Sequence, residues 1–436
     1  MIIKFRNIFF ILALFFQSCS FYDTAGIWSS DEKIKIDEIR PKPLFKDDKV
    51  EISEFNKDVF LNFEGVQKSL NQNQFFDNND GLVENINSVE KFSKYKLSKN
   101  KNLRLSEPDL IFDANHLIFF DNKGNLLKFD ENKELKWKIN IYNKNEKKIE
   151  PVLFMEKKDG FLYVADNLSK IYKINIDNGS LVWVVDYKSP FNSELKIYSN
   201  KIYVVDANNT MNCFSTLDGK KIWSYNTEET FIRSSKRSSV VIYKENVIFN
   251  NSFGDIYALN LDDGILEWQL STNKKSNNIT DSIDLEYSDL TYQNDSIYIS
   301  NNKGNFYSID INSGLIRWIQ NIKSKVKPLI VEDWIITFSD DGYLTILDSK
   351  KGNILKIVDI SKNIKIKRKE VLKISGFISN LDKIYATSNL GHLLEIDLNS
   401  GNVEKIIKIS KNYLSRPFYK NGNMYLVLDG AIIQFN

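Results

Sequence analysis

The stretch VIFNNSFGDIYALNLDDGILEW, residues 247–268, decides the fold, because the same pattern returns fifty residues later as IYISNNKGNFYSIDINSGLIRW, residues 297–318. Each copy reads as an apolar strand, a polar turn closing on Gly, a second strand, another turn closing on Gly, and a strand that carries Trp. Within IYALNL and FYSIDI the apolar residues alternate, which is the period of a half-buried strand and not the 3.6-residue period of a helix.

Working outward from these copies, five of the seven tryptophans, Trp137, Trp183, Trp223, Trp268 and Trp318, fall at intervals of 46, 40, 45 and 50 residues. The opening strand persists where the Trp is lost, giving eight units that begin near Leu117, Leu162, Ile202, Val247, Ile297, Ile335, Ile384 and Met424. The first turn closes on Gly124, Gly254, Gly304, Gly342 and Gly391, with Ser169 and Asn209 in that place in the second and third units. A turn that requires positive φ accounts for the choice, since Gly adopts it without steric cost and Asn at little cost. Prolines mark a further strand, because a residue lacking an N–H is tolerated at a strand's start. Pro108, Pro151, Pro190, Pro328 and Pro417 each precede an opening strand by 7 to 12 residues.

Four short antiparallel strands in every 40 to 50 residues is the period of a propeller blade. The sequence therefore predicts an all-β fold, an eight-bladed β-propeller of four-stranded antiparallel blades over residues 89–436. The last unit, MYLVLDGAIIQFN, ends the chain after its third strand, and VEKFSKYKLS at 89–98 is expected to supply the fourth. Pairing an N-terminal strand with the C-terminal blade closes the ring and leaves no open blade face. Trp at the repeated position is expected to pack between blades, its N–H bonding a neighbouring strand. Lys356 and Lys405 hold that position in the sixth and seventh units, so those junctions should be packed differently.

The N-terminus reads as an export signal: MIIKFRN carries two positive charges, IFFILALFF is too short to remain as a spanning helix, and QSC follows. Residues 1–18 are assigned as a lipoprotein signal peptide and Cys19 as the lipidated first residue of the mature chain. Residues 19–88, with mixed charge runs and the patch NQNQFFDNND, read as a lipid-anchored tether followed by an extension packed on the ring. Without Lys4 and Arg6 the mature chain holds 57 basic and 57 acidic residues, so nucleic acid is not an expected partner. Cys213 lies in a predicted strand and reads as a small buried hydrophobe.

Catalytic constellations are missing from the pattern. The two histidines, His116 in a predicted turn and His392 after Gly391, offer no triad spacing and no His/Cys metal cluster. Asp121, Asp166, Asp206, Asp310, Asp348 and Asp397 recur at strand ends, where a carboxylate accepting turn N–H groups explains them. No catalytic residue, cofactor or metal site is expected.

The form IYALNLDDGxLEW resembles the quinoprotein (PQQ-like) propeller repeat, and the whole layout resembles the BamB family of outer-membrane protein assembly lipoproteins. That resemblance implies a non-catalytic scaffold in the β-barrel assembly machinery, anchored in the outer membrane by lipid and facing the periplasm. It implies as partner the periplasmic domains of the barrel subunit, met through connections between central blades. Ile232 and Arg233, in SYNTEETFIRSSKRSS, match the family's aliphatic-Arg pair, and Asp284 and Glu286, in the next connection, are the nearest acidic counterparts. Exposed blade edges are compatible with edge pairing to unfolded outer-membrane proteins. The alternatives are a PQQ-dependent dehydrogenase, which the repeat alone permits, and another periplasmic propeller scaffold or ligand-binding protein.

Overall fold

The computed structural model of the chain describes residues 74–98, 107, 109–227, 236–272, 285–362, 364 and 371–436. Eight four-stranded antiparallel sheets follow one another along the chain. Blades 1 to 7 occupy residues 111–139, 153–186, 196–226, 240–270, 291–320, 329–359 and 374–408. Blade 8 is built from residues 418–435 and from Phe92–Lys96, which adds as its outermost strand with Phe92 opposite Phe435 and Lys96 opposite Ala431. The closure read from VEKFSKYKLS is thus the closure observed.

In blades 1 to 7 the first strand, and in blade 8 Phe418–Lys420, lies nearest the axis, toward the inner strands of neighbouring blades. The middle strands are buried nearly throughout, as in Phe161–Asp166 and Ile256–Asn260. The outermost strands alternate between exposed and part-buried residues, as in Leu181–Asp186, because only their inner side has a neighbour. Antiparallel alternation then fixes two faces. The upper face carries the blade-to-blade connections and the turns between second and third strands; the lower face carries the remaining hairpin turns.

The recurring turn residues behave as their types require. Ser169 and Asn209 take φ of 69° and 62°, matching Gly124 at 70°. Asp121, Asp166 and Asp206 each accept two backbone N–H groups of their own turn through Oδ1. In the lower turns Asp310 and Asp348 likewise accept two backbone N–H groups each, and Asp397 accepts one, from Ser400. Pro328 and Pro417 immediately precede inner strands, and Pro151 stands two residues before one. Pro190 is farther up the chain, ahead of an isolated bridge between Phe191 and Asp206, so it does not open its blade's inner strand; Pro108 lies outside the described residues. His116 is not in the turn either. The hairpin bends on Ala114 and Asn115 alone, with Ala114 at φ 47°, and His116 opens the second strand opposite Asp113.

The tryptophans join consecutive blades. Trp137, Trp183, Trp223, Trp268 and Trp318 each donate the indole N–H to a main-chain oxygen of the next blade, on Ile176, Thr216, Leu261, Ile311 and Ser349, at 3.0 to 3.4 Å. Each ring also lies on the glycine of that blade's lower turn, where an added Cβ would stand 2.5 to 2.8 Å from the ring. A register shift follows the Trp pairing in every one of these blades, adding local twist to the outer strand. At the junction of blades 6 and 7, buried Lys356 reaches the main-chain oxygen of Asn399, while Val358 takes the place over Gly401. At the next junction Lys405 pairs with Glu90 at 2.8 Å.

Candidate partner-binding surface and the axial channel

Two consecutive connections on the upper face, from blade 3 to blade 4 and from blade 4 to blade 5, contain the four residues singled out for partner binding. Ile232, Arg233 and Asp284 fall outside the described residues, as does Cys19. Glu286 is half-buried and already engaged: its carboxylate pairs with Lys325 from the connection between blades 5 and 6, and its main chain exchanges hydrogen bonds with Asn302.

The bases of the two connections are fastened to each other. Lys236 donates to the main-chain oxygen of Tyr287 at 2.7 Å, and its ammonium is 3.5 Å from Glu107. Arg237, whose side chain is only 1% exposed, places its guanidinium 2.8 Å from Glu194 and 3.1 Å from Asp289. Burial disfavours the charge on Arg237, but Asp289 and then Glu194 outweigh it and hold the guanidinium charged. Glu194 likewise loses solvation, yet Arg237 and Lys196 keep its carboxyl well below the usual range. Tyr287 completes the base, donating its hydroxyl to the oxygen of Phe253 and meeting the hydroxyl of Thr272. Sequence reasoning missed Lys236, Arg237 and Asp289; the only signal was basic residues in KRSS entering a strand that is otherwise apolar.

This ionic network borders the axial channel, a cavity of about 400 Å³ whose lining includes Glu107, Asp109, Glu156, Lys196, Lys327 and Arg416. Arg416 pairs with Asp109 at 2.5 Å and lies 3.5 Å from Asp80. Glu156 faces the cavity with burial pushing its carboxyl up to about 8. Among the described residues, no three His, Cys, Asp or Glu side chains stand where they could hold a metal ion. Cys213 is a buried free thiol, raised by burial to about 12 and so kept protonated. No helix among the described residues is long and apolar enough to cross a membrane.

Among solved structures, the crystal structure of BamB from Moraxella catarrhalis matches with a TM-score of 0.63 at 17% identity, covering 78% of this chain and 99% of that one. A europium-containing methanol dehydrogenase matches with a TM-score of 0.62 at 9% identity, over 82% of this chain and 88% of that one. Sqt1 of Saccharomyces cerevisiae matches at 0.61 and 9%, over 80% and 99%. At such identities these likenesses are of fold alone, and the fold is shared with an enzyme. No curated protein sequence matches the chain. Residues 122–358, more than half of the chain, match the family described as outer membrane protein assembly factor BamB. On that match, the chain belongs to the BamB family of outer membrane protein assembly factors.

Proposed function

We propose that the protein is a non-catalytic scaffold of the machinery that assembles outer-membrane β-barrels, held in the outer membrane by a lipid on Cys19 and facing the periplasm. Its direct partner is the barrel subunit, whose periplasmic domains meet the upper face through the connections between blades 3 and 4 and between blades 4 and 5. The observation that carries this reading, beside family membership, is that the two connections stand side by side on bases cross-linked by Lys236 and Arg237. A rigid, ion-paired base fixes where the two connections leave the ring, which lowers the cost of positioning them for a partner. Ile232 and Arg233 supply an aliphatic anchor and a bidentate donor, and Asp284 supplies an acidic counterpart. Glu286, tied to Lys325, acts as a fixed element of the same rim. The ring holds and spaces its partners and makes or breaks no bond. Unfolded outer-membrane proteins are further clients, paired at exposed blade edges.

The test is affinity capture of the tagged, full-length protein from membranes of its own host, with mass spectrometry of what is retained. Recovery of a large barrel protein with periplasmic domains, and its loss with Arg233→Glu, supports the reading. Recovery of a quinone-linked redox chain in its place, or capture indifferent to Arg233→Glu, overturns the function or the surface respectively.

A further inference from the structure

Residues 76–87 enter the axial channel, although no blade lacks a strand that they could supply. The helical turn α1, Gln74–Asp77, sits at the lower mouth, where the Phe76 ring meets Tyr198 edge-on at 5.8 Å. Asn78 then takes φ 59° and turns the chain inward. Its fully buried amide donates to Glu194 Oε2 and to the oxygen of Leu290, both at 3.0 Å, and accepts from Lys196 Nζ at 2.6 Å. The Asn79 side chain bonds both the N–H and the oxygen of Ile330 at 3.0 Å, copying with an amide the pattern of strand pairing on the inner edge of blade 6. Asp80 lies between Lys327 and Arg416, which hold its carboxyl down at about 2 against the desolvation it meets there. The main chain of Gly81 and Val83 brackets Ser379 on blade 7, and Asn87 returns to the lower face at Gly422 of blade 8.

These contacts touch the inner edges of blades 3 to 8, and every blade is complete without them. They have the character of a ligand seated in a finished ring: side-chain amides and a carboxylate read by matched donors and acceptors, buried around Asn78 and part-buried around Asn79 and Asp80, with main-chain pairing added. We propose that the lower mouth of the axial channel is a peptide-binding site whose occupant is this chain's own segment 76–83, Phe-Asp-Asn-Asn-Asp-Gly-Leu-Val. The segment plugs the channel at its hub and encloses the charged cavity from the lower side. It also fixes α1 at the channel mouth on the face opposite the blade-to-blade connections. The inference is independent of any partner on the upper face.

The test uses the full chain with a protease recognition sequence inserted between Glu84 and Asn85, both exposed. After cleavage of the folded protein, the N-terminal fragment is expected to remain with the ring through gel filtration. The same cut protein carrying Asn78→Ala and Asp80→Ala is expected to release it. In the uncut protein, amides of residues 79–83 should exchange hydrogen at least roughly 100-fold more slowly than in a free peptide of that sequence. Circular dichroism of the uncut double variant reports whether the ring itself is intact. Immediate loss of the wild-type fragment, retention unaffected by the two substitutions in an intact ring, or exchange at free-peptide rates would each overturn the proposal. Should the double variant fail to fold, the exchange measurement on the wild type decides alone.

Discussion

The indole N–H of Trp268 lies 3.1 Å from the main-chain oxygen of Ile311, and its ring covers Gly314 three residues farther on, so one side chain of blade 4 reads two features of a turn in blade 5. The two features can be separated by mutation. Trp268→Phe keeps most of the packing and leaves a buried carbonyl without its donor, a loss of about 1–2 kcal/mol. Gly314→Ala forces a side chain into φ 71° and sets a Cβ 2.5 Å from the ring, a cost of about 2–4 kcal/mol. Urea midpoints should therefore fall further for Gly314→Ala than for Trp268→Phe. The reverse order would mean that the hydrogen bond, and not the close approach, fixes the junction.

That pairing is why the ring was legible in the sequence. A Gly followed four residues later by Trp records both halves of an inter-blade contact, though the two halves belong to different junctions. Each Gly serves the preceding blade's Trp, and its own Trp serves the next. Where Lys replaces Trp, the spacing still located the strand, but nothing local foretold that Lys356 would find Asn399 or Lys405 would find Glu90. The plug was opaque for a related reason. FFDNND has the composition of a solvated linker, and polar residues are buried only where partners await them. For Asn78 those partners come from residues more than a hundred positions away. The connections on the upper face were placed by the repeat, whereas their shared base depends on Arg237 meeting Glu194 and Asp289 across blades, a contact that no short motif encodes.

Tyr95 tests the closure of the ring. It is buried in the N-terminal strand of blade 8, packs edge-on against Phe129 of blade 1 at 5.6 Å, and donates its hydroxyl to Gln434 at 3.1 Å. Tyr95→Ala removes contacts on both sides of the seam and should cost about 3–5 kcal/mol. Hydrogen exchange should quicken first in Ala431–Phe435 and only later in blade 4, on the far side of the ring. Uniform acceleration in all blades would show that the seam has no separate stability.

Glu156 sets a pH dependence. Burial in the channel raises its carboxyl from the usual 4.5 to about 8, Lys196 opposing only in part. Between those values the folded protein keeps a proton that the unfolded chain has released, so stability from this group falls as pH rises through that window, by an amount on the order of a few kcal/mol. Below about pH 4 both states are protonated and the effect vanishes. Glu156→Gln should raise the urea midpoint at pH 8 relative to the wild type and leave it nearly unchanged at pH 4.5. Equal midpoints at pH 8 would place the carboxylate in contact with solvent or a counter-ion.

Arg237 links the channel to the upper face, and its removal should be felt at both. Arg237→Met preserves much of the volume but leaves Glu194 and Asp289 buried without their cation, a destabilisation of about 3–5 kcal/mol. Adding Glu194→Gln and Asp289→Asn takes away the stranded charges and should restore a large part of that loss, because the penalty lies in uncompensated carboxylates more than in the missing ion pair. Capture of the membrane partner need not follow stability. The triple variant still lacks the guanidinium that joins the strand after the first connection to the strand after the second, so the bases of the two connections are left with the single link from Lys236 to the oxygen of Tyr287. Recovered stability with partner capture still reduced is the expected result. Full recovery of both would mean that the ion pairs serve the fold alone and that the two connections meet their partner independently.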